Sequence, residues 1–113
     1  MTMLYKFKSR ATGDLIMLRP HGRRLLQIIG KADDAGPHEQ GILLPGQMDA
    51  AVAALQAAVT REEAEQAEAV AQALARGEVP PTFEPVGLRQ RTQPFIEMLR
   101  RCEKAGKEIV WGV

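Results

Sequence analysis

"TMLYKFKSRATGDLIML", residues 2–18, decides the fold class. In its first half Met3, Tyr5 and Phe7 alternate with Leu4, Lys6 and Lys8. A period of two puts the two sets on opposite faces of an extended chain, which predicts a half-buried strand. Thr12-Gly13-Asp14 is turn chemistry. The "LIML" that follows has no polar member, which predicts a strand covered on both faces and therefore central in its sheet. Two strands around a turn make a β-hairpin, so the chain is not all-helical.

After the hairpin the chain reads as helices, loops, one short extended piece and one last strand. In "LRPHGRRLLQIIGK", residues 18–31, Pro20 suits a first helical turn, because its missing N–H has no partner there anyway. Leu25, Leu26, Ile28 and Ile29 have helical spacing, and Gly30-Lys31 is a stop signal. "KADDAGPHEQG", residues 31–41, is a loop. "ILLPGQM" gives a short extended piece, and a helix begins near Pro45 with Met48, Val52, Leu55 and Val59 on one stripe. "TREE", residues 60–63, has the capping-box form, which predicts a break at Thr60. A new helix then runs to Arg76 with Ala67, Val70, Ala71 and Leu74 as its buried face, and Gly77 ends it. "GEVPPTFEPVG", residues 77–87, is a linker.

The closing segment "LRQRTQPFIEMLRRCEKAGKEIVWGV" places Phe95, Ile96, Met98, Leu99 and Cys102 at helical spacing, with Leu88 on the same face. Pro94 either starts this helix or kinks one that begins near Pro85, and the shared face of Leu88 favours one kinked helix. Gly106 caps it, and "EIVWGV" is a final strand with Trp111 in the core. The expected architecture is α+β in one domain, residues 1–113. A small three-stranded, mainly antiparallel sheet joins the N-terminal hairpin to the C-terminal strand. If the last strand adds beside "DLIML", the first hairpin strand lies on the other side of "DLIML"; three or four helices pack on the sheet. Residues 47–76 form an acidic, alanine-rich helical segment within it.

Charge is divided along the chain. Residues 1–31 carry net +6, residues 32–85 net −8 and residues 86–113 net +3, for a total of +1. Basic ends and an acidic middle predict ends that meet in space. Apolar residues are 45% and charged residues 26%, values of an ordinary globular chain. Cys102 is the one cysteine, so no intrachain disulfide forms, which suits a reducing compartment. The N-terminus has no apolar region of secretory type, and the longest apolar run, "AAVAAL" at residues 50–55, is too short for a bilayer. The expected location is the cytoplasm, with no membrane contact.

"MLYKFKSRATGDLIML", "GILLPGQM" and "LRQRTQPFIEMLRRCEKAGKEIVWGV" resemble a bacterial family of small proteins known only as a domain of unknown function. The closing segment carries most of the likeness. The resemblance implies a cytoplasmic bacterial protein of about this length, with no assigned activity and no catalytic residue to carry over.

Three sets of residues bear on chemistry. His21, Gly22, Arg23 and Arg24 stand at the start of a helix, where free N–H groups and the helix dipole favour an anion. Gly22 would let an oxyanion approach, and His21 would add a switchable donor. The opposing reading is that these cations pair with the acidic middle. Arg100, Arg101 and Lys104 form a basic patch, within a wider set that includes Arg89, Arg91 and Lys107. With few aromatics and near-zero net charge, nucleic-acid binding is not expected. His21, His38 and Cys102 lack metal-ligand spacing, so neither a metal nor a cofactor is expected. Cys102 lies on an apolar stripe and reads as core. Asp33-Asp34 and Glu62-Glu63 are carboxylate pairs in polar stretches, and Ser9 is the only serine, so no catalytic residues are assigned. The expected function is that of a small non-catalytic interaction or regulatory protein working through helical surfaces, with a protein partner or a second copy. The alternative is an anionic small-molecule site at His21–Arg24, in which case the protein could be an enzyme.

Overall fold

The computed structural model describes residues 4–31 and 40–112. Their order is β1 (Leu4–Ser9), β2 (Thr12–Leu18), α1 (Arg19–Ile28), β3 (Gly41–Leu43), α2 (Pro45–Ala75), α3 (Leu88–Ala105) and β4 (Ile109–Trp111). The class is α+β, with three helices and an antiparallel sheet, as the hairpin and helical stripes predict. The sheet has four strands rather than three, in the order β2-β1-β4-β3. The extra member is β3, the short extended piece before Pro45, paired to β4 from Gly41↔Trp111 to Leu43↔Ile109.

The hairpin turns earlier than Thr12-Gly13-Asp14. Arg10 and Ala11 form the turn, and Ser9 Oγ accepts the Ala11 N–H at 3.2 Å. Gly13 and Asp14 belong to β2, where the register slips between Phe7↔Leu15 and Ser9↔Thr12. Two residues there, Gly13 and Asp14, oppose Lys8 alone, which is a β-bulge.

Strand β2 is an edge strand, not the central one. The central position goes to β1, which pairs with β2 on one side and β4 on the other. Aromatic packing accounts for this. Pairing Phe7 with Trp111 sets their ring centroids 5.8 Å apart, and Phe95 of α3 lies 4.8 Å from Phe7. Offset and tilted ring pairs at these distances contribute beyond their buried area. Tyr5, Phe7 and Trp111 face the helices and are buried, whereas Ile16 and Leu18 of β2 are exposed on the other face.

Met48, Val52, Leu55 and Val59 are all buried, so the first stripe of α2 packs as its spacing predicts. Its expected break at Thr60 does not occur. Thr60 Oγ1 donates to the Gln56 carbonyl at 3.1 Å, an intrahelical bond that leaves nothing to cap. Alanine-rich flanks, the best helix formers, then carry the helix through. At 31 residues, α2 is about 46 Å long. It sets the shape, 53 × 33 × 24 Å, with a Cα radius of gyration of 16.3 Å. A compact domain of this length has about 13 Å.

Beyond Glu62 only Ala73 of α2 is buried. The face expected to be buried is open instead: Ala67, Ala71 and Leu74 are exposed and Val70 is half-buried. Gly77, in the left-handed region at φ +71°, stops the helix, and the Glu78 N–H bonds the Ala73 carbonyl at 2.9 Å. The linker 77–87 returns along this half of α2, because the Leu88 N–H meets Glu62 at 3.0 Å.

Helix α3 is continuous through Pro94, which is exposed, and starts at Leu88 rather than near Pro85. Phe95, Ile96, Met98, Leu99 and Cys102 are buried along its length, with Leu88 at its start. Gly106 caps it as expected.

Candidate functional site

The charged residues of the helical layer converge on the first turn of α3. Glu62, half-buried on α2, accepts the Leu88 N–H at 3.0 Å through Oε2 and Arg24 Nη2 at 3.3 Å through Oε1. A carboxylate at a helix N-terminus meets an unpaired N–H and the positive dipole end, both favourable. Glu63, one residue on, takes two bonds from Arg89, at 2.8 Å from Nε and 2.7 Å from Nη2. Those guanidinium bonds hold the Glu63 carboxyl below the usual carboxylate range and push Arg89 up. Both groups are well exposed, so this pair contributes little to stability. Arg91 bonds His21 Nε2, the Glu84 carboxylate at 3.2 Å and the Val86 carbonyl at 3.4 Å. Since arginine only donates, His21 Nε2 is the acceptor in this contact.

Three of the residues at the start of α1 are therefore occupied by the protein itself. Arg24 is held by Glu62, and His21 by Arg91. Gly22 is buried, and a Cβ added there would stand 2.5 Å from a Tyr5 ring carbon. Its missing side chain lets α1 lie on β1. Arg23 is half-buried. We expect Gly22→Ala to destabilise the fold. Overpacking costs about 1–3 kcal/mol, more than the roughly 1 kcal/mol that alanine gains over glycine in a helix. Urea denaturation checks this; an unchanged midpoint would mean that the Tyr5 ring yields freely.

The basic patch is divided. Arg100 opens onto a groove of about 410 Å³ between α2 and α3, shared with Gln56, Arg89, Thr92 and Gln93. Arg101 opens onto a smaller groove of about 200 Å³ between α3 and the start of β2, beside Asp14. Lys104 sits in the last turn of α3, where a cation suits the dipole. Within the larger groove, Arg89 is held by Glu63, and buried Thr92 donates its hydroxyl to the Arg89 carbonyl at 3.1 Å.

Cys102 is buried among the core residues. His38 and Asp33-Asp34 lie outside the described residues. Among the described residues no three His, Cys, Asp or Glu side chains gather as a metal site, and no helix is long and apolar enough to cross a membrane.

One further surface is the open half of α2 with its linker, where the sequence predicts a buried face instead. Leu74 is 62% exposed, Val79 91% and Phe83 44%, and Glu65, Glu68, Glu78 and Glu84 of the same segment are exposed as well. Its weak apolar spacing and high alanine content are the signals the sequence carries for it.

Fold and site together define a small α+β protein whose helices cover one face of a four-stranded sheet and whose longest helix continues as an open arm. The chain belongs to the family described as Domain of unknown function (DUF1840), matched over residues 3–111. No curated protein and no solved structure matches it.

Proposed function

We propose that this is a non-catalytic interaction protein of the bacterial cytoplasm that meets its partner through the arm formed by residues 63–75 of α2. The observation that carries this is the ridge of Ala67, Ala71 and Leu74, which is exposed although its spacing is that of a packed helix face. Alanine lets a partner approach the helix backbone closely, and Leu74 supplies an apolar anchor. Glu68, about a quarter turn round the helix from the ridge, would favour a basic partner surface. The lone, buried Cys102 suits a reducing compartment.

A photo-crosslinking residue placed at position 71 or 74 tests this in cells of the source organism. A control probe at Ala53, exposed on the core-packed half of α2, sets the background. A discrete adduct from the arm positions and none from position 53 is the expected result. No adduct from 71 or 74, with the protein folded and abundant, would overturn the reading.

A further inference from the structure

We infer that the groove between α2 and α3 binds a free α-amino acid with a large apolar side chain, its carboxylate on Arg100 and its ammonium group on Glu97. This site is separate from the arm, and neither proposal depends on the other. The groove holds about 410 Å³, within the range of small-molecule sites. Its floor is Val59 of α2 with Thr92 and Ile96 of α3, all buried. Gln56 and Gln93, both exposed, border it with amides that can donate and accept. At one end Arg89 reaches across to Glu63 of α2 through two bonds and bridges the helices. Arg100 lies three turns further along α3, about 16 Å from Arg89 along the axis.

The free charges decide the ligand. Arg89 is taken by Glu63. Glu97 and Arg100, both exposed, line the groove, and neither has an ion-pair partner among the described residues. Three residues apart on α3, their Cβ atoms are about 5–6 Å from each other. Glu97 borders the smaller groove too, where no ion pair among the described residues ties it to Arg101. A simple anion would be drawn to Arg100 and repelled by Glu97, and a simple cation the reverse. A ligand with both signs close together gains both contacts. An α-amino acid carries them on one carbon, whereas a peptide holds them at opposite ends. Its carboxylate suits the paired donors of a guanidinium. From there its side chain would run over Ile96 and Val59 toward the Arg89–Glu63 bridge. Apolar area is removed from water along that path. The bridge leaves no free charge to meet an acidic or basic side chain, so an apolar one is favoured.

Titration of the full chain followed by nuclear magnetic resonance tests this. L-leucine, L-methionine and L-phenylalanine at millimolar levels should shift the side-chain amides of Gln56 and Gln93 and the methyl groups of Val59 and Ile96. Leucinamide lacks the carboxylate and isocaproate lacks the ammonium group. Each should bind at least about tenfold more weakly than L-leucine, the usual loss of a hydrogen bond to a charged group. Arg100→Gln should bind L-leucine no better than leucinamide, and Glu97→Gln should bind it no better than isocaproate. Each variant then loses one preference and keeps the other, which a merely structural role would not produce. Both positions are exposed, so both variants should fold. If one does not, the analogue series on the wild-type chain still decides. No shift at the groove with any of the three amino acids overturns the inference. So does leucinamide or isocaproate binding as tightly as L-leucine, or both preferences surviving in either variant.

Discussion

Trp111→Ala is expected to lower stability by about 3–5 kcal/mol, the usual cost of truncating a large buried aromatic side chain. Trp111 is 1% exposed, packs against Phe7 and sits opposite both Phe7 and Gly41 in the sheet. Its loss would open a cavity where β1, β3, β4 and α3 meet. Domains of this kind hold only about 5–15 kcal/mol in total, so the variant should be partly unfolded at 37 °C. Urea denaturation followed by circular dichroism reads the shift. In the wild-type chain the single tryptophan should emit at short wavelength and move to the red on unfolding. A native spectrum like that of free tryptophan would contradict its place in the core.

A second pair of substitutions separates the two halves of α2. Leu55→Ala and Leu74→Ala make the same chemical change on the same helix. Leu55 is 0% exposed and Leu74 is 62% exposed. The first should cost about 2–5 kcal/mol through lost burial and a residual cavity. The second should stay within about 0.5 kcal/mol in the dilute chain, as surface changes do. Leucine and alanine both favour helix, so propensity contributes little to the contrast. Measured at micromolar concentration or below, the difference reports packing rather than association. Equal losses at both positions would mean that the ridge is packed within the monomer.

The parts of the fold legible in the sequence are those set by strong local periodicity. The alternation of Tyr5 and Phe7 against Lys6 and Lys8 gave β1 its faces. The stripe from Met48 to Val59, and that from Phe95 to Cys102, placed the core of two helices. Strand order was not legible, because it depends on which edges meet at long range. The apolar run in β2 pointed to a central strand, yet the Phe7, Phe95 and Trp111 rings put β1 there. β3 was too short for alternation to appear. The break at Thr60 is absent because a capping sequence signals a helix start only where the backbone leaves the helix, and here the Thr60 hydroxyl bonds the Gln56 carbonyl within the helix. Of the candidate site, the pairing of His21–Arg24 with other segments could be anticipated only as a charge balance. That Glu62 and Arg91 are the partners follows from the linker's return path, which has no local signal. The spacing of Ala67, Ala71 and Leu74 predicts a buried face that the structure leaves open, since spacing alone does not say what covers it.

Hydrogen exchange along α2 in the dilute chain tests most directly whether this helix is half core and half arm. Amides that open only with global unfolding exchange slowly, and those held by few buried contacts exchange quickly. Residues 51–60 should be protected to nearly the level of β1 and α3. Protection should fall sharply past Glu62, and residues 66–75 should exchange orders of magnitude faster. Uniform slow exchange from residue 51 to residue 75 would contradict an open arm.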